Sequence, residues 1–263
     1  MEAGLKHPIF DSVRFQLEQL QDFSLAGLNR QAETSGICTE GGKPIRFVPP
    51  AASDPYYEIH VFETGRIQTR PDNKHDLFNA LAWLSFPRTK ARINAMHAAE
   101  IPREEKKRGR LRDMLTIFDE GGAIVVGNDA IEDFVRQAKW RELFVDRQRD
   151  FRILVIGHAV LEQALAPHPG ITCKVIFADP ARDLDVQAAH WLGSVGKTPR
   201  DLPPLPVFGY PGWFKGAGEA AFYSDERYFR PLQRGKMGMG VGQAAAVPQG
   251  AEESPGSRER DAG

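Results

Sequence analysis

The stretch from residue 151 to residue 177 reads FRILVIGHAVLEQALAPHPGITCKVIF and decides the fold class. Its two ends are rich in β-branched and aromatic side chains, as buried strands are. Between them, apolar residues at helical spacing predict a helix over residues 158–165. We therefore predict a strand–helix–strand crossover with His158 at the carboxyl end of its first strand. The fold class is α+β, or loosely α/β, with a small mixed sheet flanked by helices.

Helical periodicity and cap residues predict further helices on both sides of this unit. They are expected over residues 8–20, 24–28, 75–86, 87–97, 111–118, 129–140 and 183–192, with a short buried strand over 123–126. Between residues 45 and 67 the period changes, because Tyr57, Ile59 and Val61 alternate with polar residues. That alternation predicts a small antiparallel sheet in this region.

Composition limits the class of protein. The chain has 263 residues, of which 41% are hydrophobic, and this is enough for the core of one globular domain. Its net charge of −1 gives no overall positive potential that would attract nucleic acid. We predict a single domain over residues 1–234 and a disordered tail over 235–263, which holds no aromatic residue. No segment has the length of a membrane span or the pattern of a secretory signal. Cys38 and Cys173 lack a partner motif, which predicts reduced thiols in the cytoplasm.

Polar residues are most concentrated on the apolar helix that begins near His75. His75 and Asn79 are four residues apart and therefore share a helix face. One interpretation is a site in which His75 is a general base or metal ligand, Asp76 orients it, and Arg88 or Lys90 holds an anionic group. The alternative is a structural network in which His75 caps the helix and the other polar side chains connect neighbouring segments.

His158 is the second candidate, because ligands of open α/β sheets collect at the carboxyl ends of strands. Glu162 lies one helical turn later, so an ordinary His–Glu contact at a helix start is the alternative interpretation. Gly157 alone does not make a dinucleotide fingerprint. The sequence has neither a two-histidine metal motif nor a nucleophile elbow, so we assign no metal ligand among the site residues and leave the cofactor unknown.

Three other segments have ordinary interpretations. The DEGG run at residues 119–122 is interpreted as a turn, and the basic run over residues 103–112 as a solvated loop with phosphate attraction as the alternative. The loop of residues 199–216, rich in proline and glycine, either packs on the core or closes over a pocket with Trp213 as a substrate contact.

The sequence resembles an uncharacterised bacterial family of unknown function. The resemblance is carried by HDLFNALAWLSFPRTK at residues 75–90, GHA at 157–159, the loop from Leu205 to Trp213, and FRP at 229–231. It implies no activity, but it groups the polar helix, the Gly–His turn and the Pro–Gly–Trp loop as signature segments.

We expect a cleft lined by His75, Asp76, Asn79, Lys90 and His158. The first hypothesis is a hydrolase-type enzyme that uses His75 or His158 as acid or base on a small anionic ligand. The second is a non-catalytic binding or assembly protein, and the third is a divalent-metal nuclease that uses His75, Asn94 and His97. A nucleic-acid partner is disfavoured but stays open, no membrane partner is expected, and the oligomeric state is unknown.

Overall fold

The computed structural model describes residues 4–20, 22–51, 56–101, 109–194 and 196–231. These residues belong to one compact unit, Met1–Leu232. The second unit, Gln233–Gly263, contains the predicted tail and lies outside the described residues, as does most of the basic run over residues 103–112. In the described part of the chain, no helix is both long enough and apolar enough to cross a membrane.

The described part of the chain contains nine α-helices and six strands. Helices α1 to α9 span Asp11–Gln19, Leu25–Thr34, Tyr57–Thr64, Lys74–Ser85, Pro87–Glu100, Arg110–Gly121, Asp129–Arg136, His158–Gln163 and Leu184–Leu192. Strands β1 to β6 span Arg46–Val48, Arg66–Gln68, Gly122–Val126, Arg152–Val155, Thr172–Ala178 and Pro204–Pro206. Two of the predicted helix starts are confirmed: the Ser24 side chain caps α2, and Pro87 opens α5.

The larger sheet has the strand order β4–β3–β5–β6 and is mixed. β3 is antiparallel to β4 and parallel to β5, and β6 is antiparallel to β5. Every residue of β3 is buried; Ala123 and Val125 belong to one hydrophobic cluster, Ile124 and Val126 to another. Because side chains alternate along a strand, the sheet separates these two layers of core. The predicted α+β class with a small mixed sheet is confirmed.

The predicted crossover between parallel strands is wrong. β4 and β5 do not pair with each other; each pairs with β3, which precedes them in the chain and lies between them. β4 runs antiparallel to β3, with Val155 opposite Ala123. The helix that starts at His158 therefore lies at the end of the sheet where the parallel strands β3 and β5 begin, not at the end where they finish.

The antiparallel sheet expected near residue 60 is also wrong. Tyr57–Thr64 is helix α3, and β1 and β2 form a parallel pair. A helix suits this place because a tight turn cannot join parallel strands. α3 ends at Gly65, whose φ of 72° is left-handed and whose hypothetical Cβ would lie 2.2 Å from the Pro44 carbonyl oxygen. An alternation of only five residues could not distinguish these two structures.

Candidate functional site

A polar cavity of about 590 Å³ lies among α3, α4, α5, α6 and the start of α8. All five residues expected to line a cleft, His75, Asp76, Asn79, Lys90 and His158, line it. Its other polar and charged lining residues are Tyr57, Glu58, Gln68, Arg70, Asn94, His97, Arg112, Thr116, Asp119 and Glu120. Helices from separate parts of the sequence therefore contribute to one site.

Helix α4 starts one residue before His75. The side chain of Asn73 accepts a hydrogen bond from the backbone N–H of Asp76 and is the N-cap, the role that the structural interpretation gave to His75. His75 and Asn79 lie on the same helix face, as predicted from their spacing. His75 is thereby free to direct its ring toward α8.

Two more helices turn polar stripes toward the same cavity. On α5, Lys90, Asn94 and His97 follow one another by four and three residues, and all three are buried. Arg112, Thr116 and Asp119 repeat that spacing on α6. Such spacing puts each set on one helix face. The stripe on α6 ends in the segment that the sequence predicted to be a turn, because Asp119 and Glu120 belong to the last helical turn.

Gly157 determines where His158 lies. A Cβ atom at residue 157 would be 2.6 Å from both the Glu120 carbonyl oxygen and the Gly122 nitrogen. Only a residue without a side chain allows the backbone to approach the end of α6 so closely. As a result, His158 Nδ1 donates to the Asp119 carbonyl oxygen at 2.7 Å.

The imidazole rings of His75 and His158 meet inside the cavity. Their Nε2 atoms lie 3.1 Å apart, and the ring planes are inclined by 75°. The outer nitrogens are both held: His75 Nδ1 lies 3.0 Å from Glu162 Oε2, and His158 Nδ1 contacts the Asp119 carbonyl. The result is a continuous chain from Glu162 through two imidazoles to the backbone of α6.

The hydrogen-bond partners define the protons on this chain. A carbonyl oxygen only accepts, so His158 carries its proton on Nδ1. Burial lowers the pKa of His158 to about 4, with the Lys90 ammonium adding to this and the Asp119 carboxylate opposing it. His158 is therefore neutral at pH 7 and its Nε2 has a lone pair. For the Nε2 atoms to hydrogen-bond, His75 must donate, and one further proton then lies between His75 and Glu162.

A buried ion pair lies beside the histidines. Lys90 Nζ donates to the carboxylate of Asp119 and, at 2.8 Å, to Asn79 Oδ1, while its side chain is only 4% exposed. Burial on its own raises the pKa of Asp119, but the charge and hydrogen bond of Lys90, together with the neighbouring His158 and His97, lower it below its usual value. Asp119 is thus held ionised, and Asn79 is held by Lys90.

Glu58 is a second carboxylate in the cavity, and its environment is different. Asn94 Nδ2 donates to both Glu58 Oε2 and the Glu58 carbonyl oxygen at 2.8 Å. Burial nevertheless raises the pKa of Glu58 to about 7, and the negative charge of Asp119 adds to the rise. Two carboxylates in one cavity are therefore ionised to different extents at neutral pH.

Asp76 lines the cavity but does not orient His75. Its carboxylate forms two bonds of 2.9 Å to the guanidinium of Arg70 and a third to the Arg70 backbone N–H. Those bonds turn it away from the imidazole, and Glu162 has the orienting position instead. The expected contact of Glu162 with His158 on its own helix is replaced by this contact across to α4.

Arg88 and Trp213, both expected to bind substrate, lie outside the cavity. Arg88 is exposed, and its backbone N–H donates to Asp185 of α9. Trp213 is 6% exposed in the hydrophobic core, and its carbonyl accepts from His7 Nε2 at 2.7 Å. The loop around Trp213 packs on the core, because its aromatic rings bury more apolar area there than over a polar cavity.

Comparison with known families gives the identity of the chain at the family level. A family model described as protein of unknown function, DUF3025, matches residues 45–233. The chain belongs to the DUF3025 family. The resemblance to an uncharacterised family is thereby confirmed. Comparisons with curated proteins and with solved structures returned no match.

Several cavity residues of this DUF3025 protein were not predicted as part of the cleft, among them Tyr57, Glu58, Arg112 and Asp119. Tyr57 and Glu58 were assigned to a strand, Asp119 to a turn, and Arg112 to a solvated basic loop. The spacing of Arg112, Thr116 and Asp119 was the available signal for the α6 residues. It shows that they share one face once the helix is extended to Gly121. Nothing in the sequence near Glu58 distinguishes a helix from a strand.

Proposed function

We propose that this DUF3025 protein is a hydrolase-type enzyme, with the cavity as its active site and a small substrate bearing an anionic group. The observation that carries the proposal is the contact between the Nε2 atoms of His75 and His158. Two imidazoles that face each other inside a cavity, each anchored through its other nitrogen, are suited to move the proton of an attacking water.

The neighbouring groups support this chemistry. His75 has a 39% exposed side chain, so water and substrate can reach it, whereas His158 is buried behind it. Glu162 orients His75 as the carboxylate of a catalytic triad orients its histidine. To accept a proton from water, His75 first passes its Nε2 proton to the Nε2 lone pair of His158. The Glu162 carboxylate then stabilises the imidazolium that forms when His75 takes up the water proton.

The cations of the cavity define the substrate class. Lys90 has three donors and gives two of them to Asn79 and Asp119, while Arg112 lines the same wall. Carboxylates and phosphates are the groups that such side chains bind. We therefore expect an ester, amide or phosphomonoester of a small acid.

The test is a hydrolysis screen of purified wild-type protein on phosphomonoesters, carboxylic esters, thioesters and amides, each with and without added divalent ions. The comparison variants are His75→Ala and, as control, His190→Ala, an exposed histidine of α9 outside the cavity. We expect hydrolysis that falls by at least about 100-fold in His75→Ala, the lower range for a lost acid or base, and is unchanged in His190→Ala. Folded wild-type protein that hydrolyses no substrate class would overturn the proposal and favour the binding or assembly hypothesis.

A further inference from the structure

We propose that His75 and His158 bind one divalent transition-metal ion between their Nε2 atoms. This inference rests on the proposed function only in that it uses the same cavity and deepens its chemistry. It concerns a binding event that can be measured without any substrate. The sequence has no metal motif, because the two residues are 83 positions apart and their approach is a tertiary feature.

The distance between the two nitrogens suits an ion. Two nitrogens that are each about 2.1 Å from one ion are about 3.0–3.4 Å apart at octahedral to tetrahedral angles. The observed separation is 3.1 Å. Each ring centroid lies behind its nitrogen, so two rings that pointed straight at each other would have centroids farther apart than the observed 4.5 Å. The two rings are thus inclined to each other, and a small rotation turns both lone pairs toward a third atom.

The outer nitrogens have the partners that metal-binding histidines have. Histidine ligands commonly donate their second ring N–H to a carboxylate or a backbone carbonyl, which leaves the other nitrogen as the ligand. His75 meets the Glu162 carboxylate in this way, and His158 meets the Asp119 carbonyl. Both partners are therefore of the kind that orients a metal-binding histidine.

The Glu162 carboxylate also favours a cation at this place. It lies 3.0 Å from His75 Nδ1, whereas Asp76 is paired with Arg70 and Asp119 with Lys90. A divalent ion on the other nitrogen of His75 would therefore be attracted by the negative charge of Glu162 through the imidazole ring.

The two histidines are the ligands that the described part of the chain offers, since no group of three or more His, Cys, Asp or Glu side chains within it could hold an ion. Water and substrate would fill the other positions, as the open positions of catalytic sites are filled. Binding exchanges one proton for the ion: the shared proton between the imidazoles leaves to solvent as both lone pairs become ligands. When bound, such an ion would lower the pKa of a water molecule that it coordinates.

The test is a titration of chelator-treated full-length protein with Co²⁺, followed by visible absorption, and with Zn²⁺, followed by calorimetry. We expect one ion per chain and a cobalt spectrum with nitrogen ligands. His75→Ala and His158→Ala should each weaken binding at least 10-fold, and His190→Ala should leave it unchanged. Glu162→Gln keeps the shape of the side chain and should weaken binding by about 10- to 100-fold, the usual effect of removing such a partner.

Circular dichroism of each variant shows whether the chain is still folded, so that weaker binding can be assigned to the lost side chain. No saturable binding to the wild type, or an affinity that both histidine variants retain, overturns the metal site. Hydrolysis by chelator-treated protein without metal binding would leave the proposed function standing while this inference fails. Binding with these properties but without hydrolysis of any substrate would do the reverse.

Discussion

The imidazoles of His75 and His158 meet at a nitrogen–nitrogen distance of 3.1 Å although the residues lie on different helices, α4 and α8. Each ring is fixed by a contact on its far side, to Glu162 and to the Asp119 carbonyl. This arrangement makes the cavity more than a set of polar side chains, because two nitrogens that cannot both be bare acceptors must share a proton or an ion.

Glu162, and not Asp76, should orient His75. A proton held between an imidazole Nδ1 and a carboxylate gives a far-downfield proton NMR resonance. We expect this resonance in the wild type and in Asp76→Asn, since Asp76 bonds to Arg70. It should disappear in Glu162→Gln, because the neutral amide cannot stabilise the imidazolium. Loss of the resonance in Asp76→Asn alone would show that the wrong carboxylate has been assigned.

Removing one partner of the Lys90–Asp119 pair should lower the free energy of unfolding more than removing both partners together. Lys90→Met and Asp119→Asn each leave a buried charge without its partner, which costs about 3–5 kcal/mol of unfolding free energy. The double variant should recover much of that loss. Urea unfolding of the four proteins measures the coupling, and Glu33→Gln, which breaks the exposed pair with Arg46, should cost under about 1 kcal/mol. Additive losses from the two cavity variants would mean that the charges do not interact.

Glu58 should make stability depend on pH. Its pKa is about 7 in the folded protein, above the usual glutamate value of 4.5, so the folded state holds its proton more tightly than the unfolded state. Stability from this group is fully present below pH 4.5 and is lost as the pH rises toward 7. Glu58→Gln removes this dependence while keeping an oxygen for Asn94.

The unfolding free energy of wild type and Glu58→Gln, measured from pH 5 to 8, should therefore diverge in favour of the variant. The gain should approach a plateau of roughly 3 kcal/mol above pH 7. Glu120, Asp119, Lys90 and Arg112 are present in both proteins, so their own titration largely cancels in the difference. Parallel pH profiles for the two proteins would contradict the raised pKa of Glu58.

Gly157→Ala should destabilise the protein and disturb the histidine pair. The new Cβ would lie within 2.7 Å of backbone atoms of Glu120, Gly121 and Gly122, which cannot move as a flexible side chain can. We expect a loss of about 1–3 kcal/mol in thermal or urea unfolding. Gly41→Ala is a matched control, because its nearest neighbour would be 3.7 Å away, and it should change stability by less than about 0.5 kcal/mol. Equal stability of the two variants would contradict the close approach at Gly157.

Local patterns in the sequence determined much of the protein. The apolar spacing and caps predicted most helices, the buried run of β3 and the mixed α+β class, because these depend on contacts between residues close in the chain. The same spacing placed His75 and Asn79 on one face, and His158 at the start of a helix. The resemblance to an uncharacterised family was carried by short motifs that the same patterns contain.

Only the tertiary structure decided which of these residues meet. The strand order places β3 between β4 and β5. His158 therefore lies at the end of the sheet where β3 and β5 begin, not where they finish. Glu162 replaced Asp76 as the partner of His75, Asp119 became the partner of Lys90, and Trp213 went to the core. Each of these contacts joins residues far apart in the chain, and their free energy comes from burial and charge pairing that no local spacing records. The stretch at residues 151–177 thus predicted its own strands and helix, but the neighbours of that helix made the site.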